Sequence, residues 1–148
     1  MLDTNVLLQI VRGGRVGTAI KDKFQLDAQT LRPQLCVVTY GEIWAIVGRN
    51  NWGDAKRQSL EAAINELPPV DINSDEVVKA YVEIMLYSNS VGRSMEKKQN
   101  DVWIAAAAKA AGSYLLACDG DFDHLYGNKI EGEYIDQRAF LNGGKLDA

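Results

Sequence analysis

Four carboxylates occupy one kind of place in this chain, where an apolar run meets a turn or a helix start. Asp3 follows Met1-Leu2 in MLDTNVLLQI, Glu42 lies in TYGEIWAIVGRN just after the run LCVV, Asp101 opens NDVWIAAAAKAAG, and Asp119 follows YLLAC, with Asp121 close behind. Taken singly, each has an ordinary use: Asp3 as an Asx-turn residue, Glu42 as partner of Thr39 in a capping box, Asp101 facing a helix dipole, and Asp119-Gly120 as a tight turn. Taken together they describe a site, because an open parallel sheet binds ligands beyond the carboxyl ends of its strands, where these turns converge. Carboxylates gathered there repel one another and lose hydration, so the arrangement calls for a cation. Mg2+ or Mn2+ suits it, since both take oxygen ligands and leave positions open for a substrate phosphate. The chemistry of such a centre is phosphodiester hydrolysis by an activated water. A single histidine and the lack of a paired cysteine motif argue against zinc.

The elements that must position these acids follow from the pattern of the chain. Short apolar runs alternating with longer segments of helical period predict a parallel sheet built from βαβ units. Residues 6–11 read as helix or strand until Gly13-Gly14 breaks them, and 18–24 as a helix. Residues 35–38 are expected to form a buried strand ending at Thr39, after which Ile43, Ile46 and Val47 mark a helical face. A helix over 54–67 ends at Pro68-Pro69, 70–72 is a brief strand, and Asn73 or Ser74 caps a helix carrying Val77, Val78, Tyr81, Ile84 and Met85. After the polar loop SNSVGRSMEKKQ, Asn100 is expected to cap the alanine-rich helix and Gly112 to end it. Residues 114–117 form a third strand, Tyr134-Ile135 a further short one, and 142–148 a candidate disordered tail.

A length of 148 residues, with 47% hydrophobic and 24% charged residues, fits one globular domain spanning 1–148. No apolar stretch approaches the length of a membrane span, and no basic segment leads into an apolar core at the N-terminus, so a cytoplasmic location without membrane contact is expected. Cys36 and Cys118 each sit inside apolar runs and are expected to be buried, reduced thiols. A net charge of −4 argues against a surface that binds nucleic acid over its whole extent. It is compatible with a nuclease whose substrate phosphates meet the protein through a cation.

LDTNVLL, TYGEIWAI, NDVWIAAAA and LLACDGDFDHL, in this order and spacing, resemble the four acidic motifs of PIN-domain ribonucleases, especially the VapC-type toxins of type II toxin–antitoxin pairs. The resemblance runs over residues 1–125. It implies an α/β fold, a three-layer α/β/α PIN-like domain with a central parallel sheet. It also implies that Asp3, Glu42, Asp101 and Asp119 are the catalytic, metal-binding acids, with Asp121 a fifth contributor and Asn5 a polar residue that helps fix the site by hydrogen bonds. The implied activity is Mg2+- or Mn2+-dependent endoribonuclease cleavage leaving 5′-phosphate and 3′-hydroxyl ends. An RNA substrate, a cognate antitoxin and a homodimer come with it. Two departures stand out: only Met1 and Leu2 precede Asp3, so the first strand is expected to be weak, and Ala117 stands where the family often carries Thr or Ser.

Arg93, Lys97 and Lys98 lie just before the third motif, where they can meet an RNA backbone as point charges or simply solvate a loop. Arg12 and Arg15 are weaker candidates for the same role. Trp44 and Trp103 are expected to pack rather than stack on bases, and His124 to be a surface residue rather than a general base. Two alternatives remain. A haloacid-dehalogenase-like phosphatase also begins with a strand and an Asp and uses Mg2+, but it needs a second Asp where Asn5 stands. A catalytically silent PIN-like module would only bind RNA or a protein.

Overall fold

The computed structural model describes residues 1–28 and 32–141. The expectation for 142–148 falls outside the described residues. Leu35–Cys36 (β1) pairs in parallel with Pro69–Val70 (β2), and Leu115–Ala117 (β3) pairs in parallel with Gly132–Tyr134 (β4). Residues 1–3 lie between the two pairs, joined to β3 by an isolated parallel bridge at Leu2 and Leu116 and to the residue before β1 by one backbone bond, giving the order β2, β1, residues 1–3, β3, β4. The Leu2 amide donates to the Gln34 carbonyl at 3.0 Å, the Asp3 amide to Leu116 at 2.9 Å, and the Leu116 amide to Met1 at 2.9 Å. The first strand is short, as its sequence implies, yet backbone bonds hold it on both sides. Its central place compensates for its length.

Side chains of a strand alternate between faces, and this alternation builds two cores. Leu2, Leu35 and Leu116 face one way, into a core completed by Thr4–Arg12 (α1), Arg15–Phe24 (α2), Asp54–Asn65 (α4) and the residues Ile43 and Val47 of Val37–Arg49 (α3). Met1, Cys36, Leu115 and Ala117 face the other way, toward Asp75–Ser90 (α5) and Gln99–Ala110 (α6). In α6, Val102 and the run from Ile104 to Ala108 have no solvent exposure, so the small alanine side chains let α5 and the sheet close on it from both sides. This is the three-layer α/β/α arrangement expected from the sequence. A last helix, Arg138–Leu141 (α7), follows β4.

Local signals hold where the chemistry is local. Gly13 and Gly112 adopt left-handed backbone (φ 68° and 61°) at helix ends, and the Ser74 side chain accepts from the Val77 amide at 3.3 Å to cap α5. The polar loop expected from Ser88 begins only after Ser90, because α5 continues through it, and three further expectations fail. The strand over 35–38 stops at Cys36, because β2 offers partners only to Leu35 and Cys36; Val37 and Val38 form the first turn of α3 despite their β-branched side chains. Thr39 therefore lies inside the helix with its hydroxyl buried and, among the described residues, unpartnered, and no capping box with Glu42 forms. Asn100 is an exposed first-turn residue of α6, whose N-cap is Lys98.

Gly17 lets α2 press against α1: a Cβ there would stand 2.2 Å from the Gln9 carbonyl oxygen and 3.0 Å from the Ile10 Cα. Gly17→Ala is expected to cost about 1–3 kcal/mol, since backbone cannot yield as a flexible side chain does. Urea unfolding should show a lower midpoint with an unchanged slope; a parent-like midpoint would mean that the two helices do not meet here. Both cysteines are free thiols, Cys36 fully buried and Cys118 partly. Among the described residues no helix is long and apolar enough to cross a membrane.

Candidate metal centre

Strand ends and helix starts deliver the acids to one edge of the sheet. Asp3 ends the central segment and precedes α1; Glu42 lies in the second turn of α3, which leaves β1 directly; Asp101 is in the first turn of α6. Asp119 follows β3 and caps the 3-10 turn Gly120–Phe122, its Oδ1 accepting from the Asp121 amide at 2.9 Å. Asp3, Glu42 and Asp119 each follow the carboxyl end of a strand segment, β1 being parallel to β2 and residues 1–3 parallel to β3.

Their charges act on one another. Asp3 is 3% exposed and, among the described residues, has no salt bridge and no side-chain cap bond. Burial raises its pKa to about 7; Asp101, Glu42 and Asp119 push the same way, and the Thr4 amide offsets only part. Asp101 rises to about 6, first through burial and then through Asp119, Asp121 and Glu42, with Lys98 pulling against them. Burial also raises Glu42, opposed by the Thr4 hydroxyl, which donates to its Oε1 at 3.2 Å.

Carboxylate oxygen is the donor chemistry a hard cation takes, and the uncompensated charge on Asp3 and Asp101 is what such an ion neutralises. Among the described residues, no three Asp, Glu, His or Cys side chains are already drawn close enough to hold one. Several of the acids are held by protein groups instead: Glu42 by Thr4, Asp119 by the Asp121 amide, and Asp121 by the Lys98 ammonium. An open cleft of about 420 Å3 adjoins them, bordered by Glu42, Asp101 and residues 96–100.

Asn5 is exposed and makes no side-chain hydrogen bond among the described residues; its neighbour Thr4, buried at 6% exposure, makes the bond to Glu42. The sequence signal for Thr4 was its place directly after Asp3, which makes it the first residue of α1. Arg93 and Lys97 are exposed, as are Arg12 and Arg15 around the turn between α1 and α2. Trp103 packs on Tyr81 with ring centroids 4.1 Å apart, as expected, whereas Trp44 is 37% exposed on α3. His124 is not a free surface residue: its Nε2 lies 2.8 Å from the Ser88 hydroxyl and its ring stacks with Tyr87, tying α5 to the segment after Asp121. Burial lowers its pKa. Ala117 is fully buried in β3, so no hydroxyl reaches the acids from that position.

A family model described as PIN domain matches residues 1–128. No curated protein matches the sequence. The fold is similar to that in the crystal structure of VapBC2 from Rickettsia felis bound to a DNA fragment from their promoter, with a TM-score of 0.75 and 18% identity over 92% of this chain and 98% of the other. It is also similar to a toxin–antitoxin complex from Klebsiella pneumoniae (TM-score 0.57, 18% identity, 82% and 88% of the two chains). VapBC-5 from Mycobacterium tuberculosis, a member of the VapBC family of toxin–antitoxin systems, gives a TM-score of 0.55 and 21% identity over 69% and 81%. At these identities the likeness is one of fold.

Proposed function

The chain belongs to the PIN-domain family, and on that premise we propose that it is a Mg2+- or Mn2+-dependent endoribonuclease, acting in the cytoplasm as the toxin of a type II toxin–antitoxin pair. The observation that carries the proposal is Asp3: a carboxylate 3% exposed, without a cationic partner among the described residues, and pressed by three further acids from separate elements. A protein keeps such a group at its working pH when a cation completes it. Asp3, Glu42, Asp101 and Asp119 would hold that ion, with Asp121 as a fifth contributor. When bound, the ion supplies polarisation of the phosphodiester and a water acidic enough to attack at neutral pH.

The chain's own residues do the rest. Thr4 orients the Glu42 carboxylate, and the open cleft beside Glu42 and Asp101 admits a single strand of RNA. Lys97 and Lys98, which line that cleft, meet its phosphates as point charges, with the exposed Arg93 a further candidate. Water is the nucleophile, so none is required from the protein; Ser88, the serine paired with His124, has no solvent exposure. The solved structures of similar fold are named as parts of toxin–antitoxin systems, which supports a cognate antitoxin as partner. Val37 and Trp44 on α3, and Val78, Val82 and Leu86 on α5, are among the exposed apolar side chains available to an antitoxin or to a second copy in a homodimer.

The test is incubation of a mixed RNA pool with Mn2+ and, in parallel, with excess EDTA. Internal cleavage leaving 5′-phosphate ends is expected only with the ion. Intact RNA under both conditions would point to the silent binding module. Phosphate release from a small phosphomonoester without RNA cleavage would favour the phosphatase alternative.

A further inference from the structure

Lys98 sits at the mouth of the acid cluster with its backbone fixed and its ammonium paired with Asp121. Its amide donates to the carbonyl of Met95, itself 2% exposed, at 2.8 Å, and its carbonyl accepts from Val102 at 3.2 Å, so the backbone is clamped at the start of α6. The side chain is 46% exposed and reaches across to the Asp121 carboxylate, 23% exposed, with Asp119 and Asp101 also in its field. Within the described residues it is the cation paired with a member of the cluster, while Lys97, also exposed on the same cleft, pairs with none of these acids.

We propose that Lys98 is the resident counter-ion of the acid cluster: a divalent cation must displace it from Asp121, and the displaced ammonium then binds the phosphate entering the same cleft. The proposal rests on the metal-centre reading given above. A solvent-exposed ion pair contributes at most about 1 kcal/mol, so an ion bound by several carboxylates displaces it easily. A doubly charged ion bound on Asp121 repels the ammonium a few ångströms away and weakens its hold on the carboxylate. Its clamped root keeps it on the cleft, whose lining also holds Glu42, Glu96 and Asp101, and there the ammonium meets a phosphate that enters. Lys98 is thus a positioning residue with two alternating partners, the carboxylate before the ion binds and the phosphate after.

The experiment is calorimetric titration of Mn2+ into the full chain and into Lys98→Gln, Lys98→Arg and Lys97→Gln, without RNA and at fixed ionic strength. Lys98→Gln is expected to bind Mn2+ about two- to fivefold more tightly than the parent, the range a surface ion pair allows. Lys98→Arg should stay at the parent value, and Lys97→Gln, which removes the same charge one residue away, should change by less. In RNA cleavage at saturating Mn2+, Lys98→Gln should raise KM more than it lowers kcat. Equal tightening in both glutamine variants, or none in Lys98→Gln, overturns the role of Lys98 while leaving the metal centre in place. Absence of Mn2+ binding by the parent overturns both. Mn2+ binding with intact RNA overturns the nuclease reading and the hand-over to phosphate, with the counter-ion part judged by the titration alone.

Discussion

Asp101→Asn is expected to lower RNA cleavage by about a hundredfold or more at saturating Mn2+, with no loss of stability. The rate effect follows from what the residue supplies: removal of one charged ligand from a centre that polarises a phosphodiester costs roughly as much as removal of one preorganised transition-state contact. The stability effect has the opposite sign from most substitutions. Asp101 leads the acids that raise Asp3, and its own pKa is held at about 6 by burial and by Asp119, Asp121 and Glu42. An amide of the same shape removes this repulsion, so the ion-free variant should melt at or above the parent temperature between pH 7 and 8. Cleavage kinetics and thermal unfolding measured on the same preparation separate loss of chemistry from loss of fold. Cleavage by the variant at the parent rate would remove Asp101 from the centre.

Without metal, the protein is expected to lose stability as pH rises from about 4 to about 7. Below pH 4, Asp3 is protonated in both the folded and the unfolded chain, and its burial carries no ionic penalty. Between its ordinary pKa and about 7, the unfolded chain has released the proton while folded Asp3 keeps it, so each step up in pH favours unfolding. Above pH 7 the penalty is complete, about 4 kcal/mol for a shift of this size. Asp101 adds in the same direction over a narrower window, up to about 6. His124, whose pKa is lowered, works the other way at pH values near its ordinary one, so the measurement compares the parent with Asp3→Asn, which should lose the slope that Asp3 provides. Mn2+ should restore stability by mass action, raising the melting temperature more at pH 8 than at pH 5. A parent whose pH profile matches that of Asp3→Asn would mean that Asp3 is not desolvated among acids.

These two expectations use residues already legible in the sequence. Asp3, Glu42 and Asp119 stand out because each follows a strand, and parallel topology sends those positions to one edge; Asp101 opens α6, which follows α5, and packing brings it to them. The partners that tune them were less legible. Thr4 rather than Asn5 bonds Glu42, and nothing in Asp-Thr-Asn distinguishes them until the helix begins at Thr4 and leaves Asn5 in solvent. The pairing of Lys98 with Asp121 joins residues far apart in the chain, and the loop SNSVGRSMEKKQ gave only a charge run.

What the sequence determined by itself is what short-range chemistry decides. The helical period, the left-handed glycines at 13 and 112, the Ser74 cap and the run Leu115–Ala117 each depend on a few neighbouring residues. Tertiary structure decided where neighbours run out. Val37 and Val38 have strand-forming side chains, but the sheet has no partner for them and they become helix. Residues 1–3 look too short to form a strand, but they lie between β1 and β3 and are bonded on both sides. His124 looks like a surface residue until Ser88 and Tyr87 of α5 pack against it. Backbone pairing and burial are long-range properties, set by which segments meet, and in this protein they also decide which polar group reaches each acid.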